Sequence, residues 1–295
     1  MQKCMETNKM KILVTGCRGQ LGSDLILELE KRGHQVIGVD IAEMDITDKA
    51  QVDNVILNEK PDAVIHCAAW TAVDLAEDEE NIPKVFAINA KGTEYIANAC
   101  AKIGAKIIYI STDYVFDGKG DKPFAPDSKE YAPLSVYGKS KLEGELAVSK
   151  LCDKFFIVRI AWVFGKFGKN FIKTMLNVGK NRDRVTVVCD QIGTPTYTPD
   201  LSVLLADMVV TDKYGYYHAT NEGGYISWYE FTKEIYKQAG YSTQVIPVTT
   251  AEYGLSKAQR PLNSRLDKSK LIQCGFKPLP DWKDALSRFL KEINE

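Results

Sequence analysis

Short apolar runs alternate with helical patterns through the first half of the chain. Runs such as KILVT (11–15), AVIHC (63–67) and FFIVRI (155–160) are rich in Ile and Val. Between such runs, apolar residues recur at a helical spacing, as in 21–31 and 83–103. Continuous apolar strands that alternate with helices are typical of a parallel sheet covered on both faces. The sequence therefore predicts an α/β fold built on a doubly wound parallel sheet.

Three glycines lie directly between the first predicted strand and the first predicted helix. Gly16, Gly19 and Gly22 stand in TGCRGQLG, a spacing one residue wider than the dinucleotide pattern G-x-G-x-x-G. A tight turn needs the conformational freedom of glycine, and a side chain there would block a pyrophosphate. The backbone N–H groups at the start of the helix can then hold the phosphates. This loop predicts a Rossmann sheet that binds a nicotinamide dinucleotide.

The second strand ends at an acidic residue that bears on cofactor choice. Asp40 follows Gly22 by 18 residues, and a carboxylate there can accept hydrogen bonds from the adenosine ribose and repel a 2′-phosphate. This favours NADH. Arg18 in the glycine loop could instead answer a 2′-phosphate, so NADPH stays open. Asp45 and Ile46 could hold the adenine edge and the adenine ring face, although a plain solvated loop fits the same pattern.

The spacing of glycine and proline changes after about residue 165, where both become denser together with aromatic residues. We predict a dinucleotide-binding Rossmann domain over 11–165 and a smaller C-terminal α/β lobe, mainly for substrate binding, over 166–295. No flexible linker separates the two halves, so we expect some segments of the lobe to return to the first domain. Residues 1–10 precede the first strand, and we expect them to form a disordered leader.

The composition of the 295-residue chain excludes several classes of protein. Hydrophobic residues make up 45% and charged residues 26%, which is typical of a soluble globular protein. A net charge of -1 gives no reason to expect nucleic acid, and no apolar run approaches the roughly 18–20 residues of a membrane span. The seven cysteines are odd in number and form no C-x-x-C pair, which argues against a disulfide framework or a zinc site. We expect a cytoplasmic protein without a metal.

A tyrosine and a lysine four residues apart lie on one face of a predicted helix. Tyr137 and Lys141 occur in YGKSK, and a nearby ammonium lowers the pKa of a phenol from its reference value of about 10. Thr112 follows the strand KIIYIS, so its hydroxyl is expected at the ligand end of the sheet. The spacing alone also fits an exposed helix face. Together the three residues predict carbonyl reduction, with Tyr137 as the proton donor and Lys141 and Thr112 beside it.

Several longer segments carry a family resemblance that extends over nearly the whole chain after residue 10. They are the glycine loop, AAWTAVDLAE (68–77), FAINAKGT (86–93), STDYVFDG (111–118), YGKSK (137–141), RIAWVFG (159–165), DQIGTPTYT (190–198) and RPLNSRL (260–266). Together they resemble the extended short-chain dehydrogenase/reductases. The resemblance implies NADH- or NADPH-dependent reduction of the 4-keto group of dTDP-4-dehydro-L-rhamnose to dTDP-L-rhamnose, a precursor of cell-surface polysaccharide. It also implies a nucleotide sugar as the small-molecule partner, and it allows a homodimer.

The resemblance and the loop positions together give a set of candidate site residues. Cofactor contacts are expected at Gly16, Gly19, Gln20, Leu21, Gly22, Asp40, Asp45, Ile46, Ala68, Ala69, Thr71, Asn89, Tyr137 and Lys141. Substrate contacts are expected at Thr112, Asp113, Trp162 and Arg260. Some members of the family hold a magnesium ion between subunits, but Ser23-Asp24 stands here where those members have a glutamate, so we predict no metal.

Three of these residues have a second interpretation. Trp162 could pack on a sugar or a base, or it could be a core tryptophan. Arg260 could meet a diphosphate bidentately, or it could be a solvated surface residue. Asn89 could order a proton-relay water, or it could bond a neighbouring loop. The histidines share no spacing and are expected to be structural, and Trp70 is given no role.

Two other functions would use the same motifs. A nucleotide-sugar epimerase or dehydratase would use the same loop and the same Tyr–Lys pair but would hold and recycle its cofactor. A non-catalytic, dinucleotide-binding regulatory subunit is the second alternative. In such subunits the tyrosine, lysine or threonine is commonly altered, whereas here all three are present.

Overall fold

The computed structural model describes residues 9–294, so the first eight residues of the expected leader (1–10) lie outside the described residues. The strands, in chain order, are β1 (Lys11–Thr15), β2 (Gln35–Val39), β3 (Ala63–His66), β4 (Lys106–Thr112), β5 (Phe155–Ile160), β6 (Val163–Phe164), β7 (Arg184–Val188), β8 (Ile192–Gly193), β9 (Thr196–Tyr197), β10 (Gly215–His218), β11 (Ile226–Ser227) and β12 (Gln244–Val248). The α-helices are α1 (Gln20–Lys31), α2 (Lys49–Glu59), α3 (Ile82–Phe86), α4 (Thr93–Ile103), α5 (Val136–Leu151), α6 (Phe171–Asn181), α7 (Thr198–Val209), α8 (Trp228–Ala239), α9 (Thr250–Tyr253), α10 (Ser269–Gln273) and α11 (Trp282–Glu292).

Six strands form one parallel sheet in the order β2-β1-β3-β4-β5-β10. The strand order reverses at β1, because β2 lies on one side of it and β3 with all later strands on the other. Loops after β1 and β3 therefore leave the sheet in opposite directions and open a crevice between them, which is where doubly wound sheets bind ligands. The predicted doubly wound Rossmann-type sheet is confirmed.

Apolar side chains cover both faces of the sheet. In β1, Ile12 and Val14 belong to a core with α1 and α7, whereas Leu13 belongs to a second core with α2, α4 and α5. This alternation follows from the two-residue repeat of a strand. All three side chains are 0% exposed, and burying each contributes about 1.5–3 kcal/mol. The sheet is thereby fixed in register beneath the crevice.

The lobe has a separate aromatic core, although part of the chain after residue 165 belongs to the sheet. Phe231, Trp282 and Phe289 lie at the centre of the lobe core, and α8 starts at a capping box formed by Ser227 and Glu230. Helix α7 packs on α1 instead, and β10 forms the edge of the sheet. The substrate-binding character of the lobe stays a prediction.

The helix expected over 83–103 is interrupted by a wider turn. Helices α3 and α4 are joined by the π-helical segment Ala87–Gly92, and the three form one continuous helical stretch. Such π insertions occur frequently at functional sites, because the extra residue turns side chains away from their regular face. Here the wide turn carries Asn89. Within 9–294, no helix has the length and apolar character needed to span a membrane.

Candidate active site

A cleft of about 910 Å³ opens at the carboxyl ends of the strands. Most of the predicted cofactor residues line it: Gly16, Gly19, Gln20, Leu21, Asp40, Asp45, Ile46, Ala68, Ala69, Thr71, Tyr137 and Lys141. Three of the four predicted substrate residues line it as well: Thr112, Asp113 and Trp162. Gly22, Asn89 and Arg260 do not lie on the cleft wall, and each has a different local reason.

The glycine loop has the shape of a phosphate cradle. Gly16 has φ +64°, and a Cβ built on it would lie 2.8 Å from the backbone nitrogen of Ala68. Gly22 stands one turn into α1, where a Cβ would lie 2.2 Å from the Gly16 carbonyl oxygen, so it permits close packing of loop and helix and makes no cleft contact. Helix α1 begins with no side-chain cap and no acidic residue in its first turn. Its free N–H groups and positive helix end therefore suit a diphosphate.

Asp40 is held at the mouth of the cleft by two backbone groups. Its Oδ2 accepts a hydrogen bond from the Arg18 N–H at 3.1 Å, and its Oδ1 accepts one from the Ile41 N–H at 2.9 Å. Each carboxylate oxygen keeps a second lone pair for a ribose hydroxyl. Asp45 and Ile46 line the same end, although Asp45 Oδ1 already accepts from both the N–H and the hydroxyl of Thr47.

His66 is structural, as expected from the sequence. One ring nitrogen lies 2.7 Å from the hydroxyl of Thr15 and the other lies 3.0 Å from the hydroxyl of Thr93. The Thr15 hydroxyl also accepts from the Ala68 N–H at 3.2 Å. Burial lowers the pKa of His66 to about 3, so the ring is neutral and can bridge the two hydroxyls. The bridge ties β1, β3 and α4 together beneath the cofactor end of the cleft.

Asn89 bonds a neighbouring loop, which is the second of its two sequence interpretations. Its Oδ1 accepts from the Trp70 N–H at 2.8 Å, and its Nδ2 donates to the Trp70 carbonyl at 3.2 Å and to the Ser140 hydroxyl at 3.0 Å. The side chain is 1% exposed and has no surface on the cleft. Asn89 thus holds the loop after β3 against α5. The backbone N–H and carbonyl of Trp70 make two of these hydrogen bonds, which its sequence position did not indicate.

Tyr137, Thr112 and Asp113 meet at the substrate end of the cleft. The Thr112 hydroxyl donates to Asp113 Oδ1 at 2.9 Å and accepts from the Tyr114 N–H at 3.2 Å. Among the described residues, no hydrogen bond of ordinary geometry reaches Asp113 Oδ2, although the residue is only 3% exposed and the Ser264 side chain lies near the carboxyl. Burial raises the pKa of Asp113 to about 6. A buried carboxylate oxygen without a partner on a cleft wall fits a ligand hydroxyl, because an unpaired buried acceptor is costly.

The expected effect of Lys141 on the tyrosine is not reproduced. Burial raises the pKa of Tyr137, and a hydrogen bond with Thr112 offsets only part of that rise. Lys141 Nζ donates to the Ile110 carbonyl at 2.8 Å and lies 4.1 Å from the centre of the Tyr109 ring. Burial lowers the pKa of Lys141 to about 7, against an opposing effect of Glu145. The pKa of the phenol is therefore raised and not lowered as predicted, because desolvation dominates; Lys141 is not among the groups that shift it.

The lowered pKa of Lys141 gives a pH-dependent stability. The unfolded chain keeps this lysine protonated up to about pH 10.5, whereas the folded protein releases the proton near pH 7. Since the unfolded state then binds more protons, we expect this group to raise the free energy of unfolding as the pH rises above 7, by roughly 1 kcal/mol per pH unit. Urea unfolding from pH 7 to 8.5 measures it. Lys141→Met should remove the rise, whereas Lys139→Met, at an exposed position of the same helix, should keep it. Equal slopes in the two variants would contradict the assignment.

Trp162 stands in a strained backbone conformation. Its φ is +51°, which side chains other than glycine rarely adopt and which costs about 1–3 kcal/mol. Its ring stacks on Trp228, with ring centres 3.7 Å apart and planes 17° apart. The ring lines the cleft and also packs on the lobe core. Its position is therefore compatible with both interpretations from the sequence, packing on a ligand and packing in a core. Sequence reasoning missed Trp228, because only the folded lobe brings α8 to the end of β5.

Arg260 is engaged behind the cleft wall. Its Nη2 pairs with Asp74 at 2.6 Å, and its Nη1 donates to the Tyr114 hydroxyl at 3.1 Å. The Tyr114 ring meets the Tyr137 ring edge-on, with centres 5.5 Å apart. Arg260 is therefore not the free surface residue of the alternative interpretation, and its present partners are not a diphosphate. Sequence reasoning missed Tyr114 although it lies inside STDYVFDG, because the motif does not show which ring supports Tyr137.

Comparison with known proteins agrees with this architecture. Residues 10–295 match the family model described as the RmlD substrate binding domain. The dTDP-4-dehydrorhamnose reductase of Aggregatibacter actinomycetemcomitans is 41% identical over 290 residues, which cover 94% of this chain and 97% of that protein. The spore coat polysaccharide biosynthesis protein SpsK of Bacillus subtilis (strain 168) is 39% identical over 282 residues, 96% of this chain and 97% of that protein.

A solved structure is similar over nearly the full length. The crystal structure of dTDP-4-dehydrorhamnose reductase from Bacillus anthracis in complex with NADP is 42% identical in sequence and superposes with a TM-score of 0.91. The match covers 96% of this chain and 99% of that chain. The motifs that gave the resemblance to the extended short-chain dehydrogenase/reductases thus belong to one family within it. The chain belongs to the RmlD substrate binding domain family, the family of the dTDP-4-dehydrorhamnose reductases.

Proposed function

We propose that the chain is an NAD(P)H-dependent oxidoreductase that reduces the 4-keto group of dTDP-4-dehydro-L-rhamnose to give dTDP-L-rhamnose. The observation that carries the proposal is one cleft lined both by the glycine loop and by Thr112, Asp113, Tyr137 and Trp162. The relatives named dTDP-4-dehydrorhamnose reductase, at about 40% identity over nearly their full length, support the choice of substrate.

Several residues of the cleft wall suit a dinucleotide cofactor. Gly16 and Gly19 with the start of α1 would hold the diphosphate of the cofactor, and Asp40 would hold its adenosine ribose. Bound NAD(P)H would supply a hydride for the carbonyl carbon. Because Asp40 disfavours a 2′-phosphate, we favour NADH over NADPH.

Proton transfer to the carbonyl oxygen falls to Tyr137. Burial keeps the phenol protonated, so it can donate to an oxygen that gains negative charge during reduction. Lys141, with a pKa near 7, can hold or release a proton at neutral pH one helical turn away and so can restore the phenol. Thr112 would orient the carbonyl beside Tyr137 after turning its hydroxyl proton away from Asp113 Oδ1. The product is the alcohol, with one hydrogen on carbon and one on oxygen.

The other predicted substrate residues would fix the sugar nucleotide. The unpartnered Asp113 Oδ2 would accept from a sugar hydroxyl, and the Trp162 ring would offer an apolar wall. Arg260 would have to leave Asp74 before it could meet a diphosphate. Asn89 would position the loop after β3 without touching the cofactor. A homodimer, a cytoplasmic location and a domain boundary at residue 165 stay predictions.

Stoichiometry separates this proposal from its two alternatives. Purified protein mixed with NADH and dTDP-4-dehydro-L-rhamnose should oxidise one NADH per dTDP-L-rhamnose formed, followed by absorbance at 340 nm and by chromatography of the sugar nucleotide. A panel of other 4-keto-6-deoxy sugar nucleotides tests the substrate. Cofactor that copurifies and is never consumed would point to an epimerase or dehydratase. No turnover together with binding of a partner enzyme would point to a regulatory subunit.

A further inference from the structure

An arginine and a glutamate form an ion pair beside the ribose end of the cleft; we call it the rim pair. Arg18 Nη1 donates to Glu43 Oε2 at 2.8 Å, and Arg18 Nη2 donates to Glu43 Oε1 at 2.5 Å, so the contact is bidentate. This hydrogen bonding lowers the pKa of Glu43 to about 2, which keeps the carboxylate charged at any physiological pH. The two side chains are 62% and 39% exposed.

The rim pair is tied to Asp40 through the backbone. Glu43 Oε2 also accepts from the Asp40 N–H at 3.0 Å, and the Glu43 N–H donates to the Asp40 carbonyl at 3.0 Å. On the other side, the Arg18 N–H donates to Asp40 Oδ2 at 3.1 Å. Three charges are therefore fixed around the ribose position: one guanidinium and two carboxylates, with a net charge of -1.

We propose that Glu43 is a specificity-determining residue that favours NADH by withholding Arg18 from a cofactor 2′-phosphate. The inference rests on the proposed function, because it assumes that the adenosine ribose lies at Asp40. Arg18 is the natural ligand for a 2′-phosphate at this position, since a guanidinium binds phosphate bidentately. In the rim pair both terminal nitrogens of Arg18 already donate to the carboxylate of Glu43. The carboxylate of Asp40 would also repel a 2′-phosphate.

The exposure of the rim pair sets the size of the effect. Solvent-exposed ion pairs are weak, so a 2′-phosphate can compete with Glu43 but must displace it. Removing the charge of Glu43 should free Arg18 for a 2′-phosphate. We expect a gain of about two- to fivefold in affinity for the 2′-phosphate, decreasing as salt screens the charges. Asp40 would keep part of the preference for NADH.

Calorimetric titration of the full chain tests the proposal without turnover. The probes are AMP and adenosine 2′,5′-bisphosphate, which differ only by the 2′-phosphate. Glu43→Gln should shift the ratio of the two Kd values about two- to fivefold towards the bisphosphate and leave the Kd for AMP nearly unchanged. Adding Arg18→Met to that variant should abolish the shift. Glu59→Gln removes a carboxylate that pairs with Lys11 at the other end of β1, and this control should shift nothing.

Each failure has a separate meaning. An unchanged ratio in Glu43→Gln, with AMP still bound, would overturn the inference and leave the proposed function standing. A shift that persists without Arg18 would also overturn it, because the gain would then come from charge alone. If the unmodified protein binds neither nucleotide, the assignment of the cofactor site is wrong. Both the proposed function and the proposed role of Glu43 would then be contradicted.

Discussion

Tyr137→Phe should reduce turnover about 10²- to 10⁴-fold while the affinity for NADH stays nearly the same. The variant loses only the hydroxyl that would donate to the substrate carbonyl, and the ring keeps its edge-on contact with Tyr114. The structure also indicates why the loss should be large. The neighbouring hydroxyl of Thr112 is a poor substitute for the lost donor, because it already donates to Asp113 Oδ1 at 2.9 Å.

Steady-state reduction of the 4-keto sugar nucleotide and NADH titration by fluorescence measure the two quantities. Tyr253→Phe removes a phenol of 36% exposure outside the cleft and serves as the matched control, with turnover expected to stay unchanged. Turnover of Tyr137→Phe equal to that of the control would refute the assignment of the proton donor. A parallel loss of NADH binding would indicate that the tyrosine holds the cofactor instead.

Arg159→Met should lower the free energy of unfolding by about 3–5 kcal/mol. Arg159 and Glu145 are both 0% exposed, and two hydrogen bonds of 2.8 Å join the guanidinium to the carboxylate. The guanidinium also donates to the Pro126 carbonyl at 3.0 Å and to the Tyr131 hydroxyl at 3.1 Å. Methionine fills much of the volume but leaves the carboxylate of Glu145 buried without a counter-charge, which is the main source of the loss.

Urea unfolding followed by circular dichroism tests this prediction at pH 7. Arg159→Met combined with Glu145→Leu removes both charges and should recover a large part of the lost stability, because the penalty comes from the unpaired ion. Lys91→Met breaks an exposed pair with Glu94 and should cost less than about 1 kcal/mol. If Arg159→Met is no less stable than Lys91→Met, the carboxylate of Glu145 must be protonated or hydrated in the variant, which would contradict the prediction.

Local signals in the sequence were sufficient where the structure depends on neighbouring residues. The glycine loop and the strand at Phe155–Ile160 are encoded within a few residues, and each is found where the pattern predicts it. The cleft could also be predicted, because parallel strands bring their carboxyl ends to one edge. Thr112 and Tyr137 meet there for that reason.

Contacts between distant parts of the chain could not be predicted in the same way. Arg260 meets Asp74 across 186 residues, and no spacing in either segment indicates the pair. The pKa of Tyr137 depends on how completely the folded protein removes water, which the Tyr–Lys spacing does not reveal. The stacking of Trp162 on Trp228, a residue of the lobe, likewise joins distant parts of the chain.

The return of α7 and β10 to the sheet bears on how enzymes of this kind can be recombined. A fragment ending at residue 165 would lack the sheet edge at β10 and would expose Leu25, which packs in the same core as Leu201 and Leu205. The lobe is therefore not one continuous segment that follows the cofactor domain. It consists of two segments, one before α7 and one after β10, and the chain between them belongs to the sheet. A chimera that exchanges substrate lobes needs three crossover points, one after β5, one before α7 and one after β10, because the lobe core residues Phe231, Trp282 and Phe289 all follow β10. The segment from α7 to β10 must stay with its own sheet.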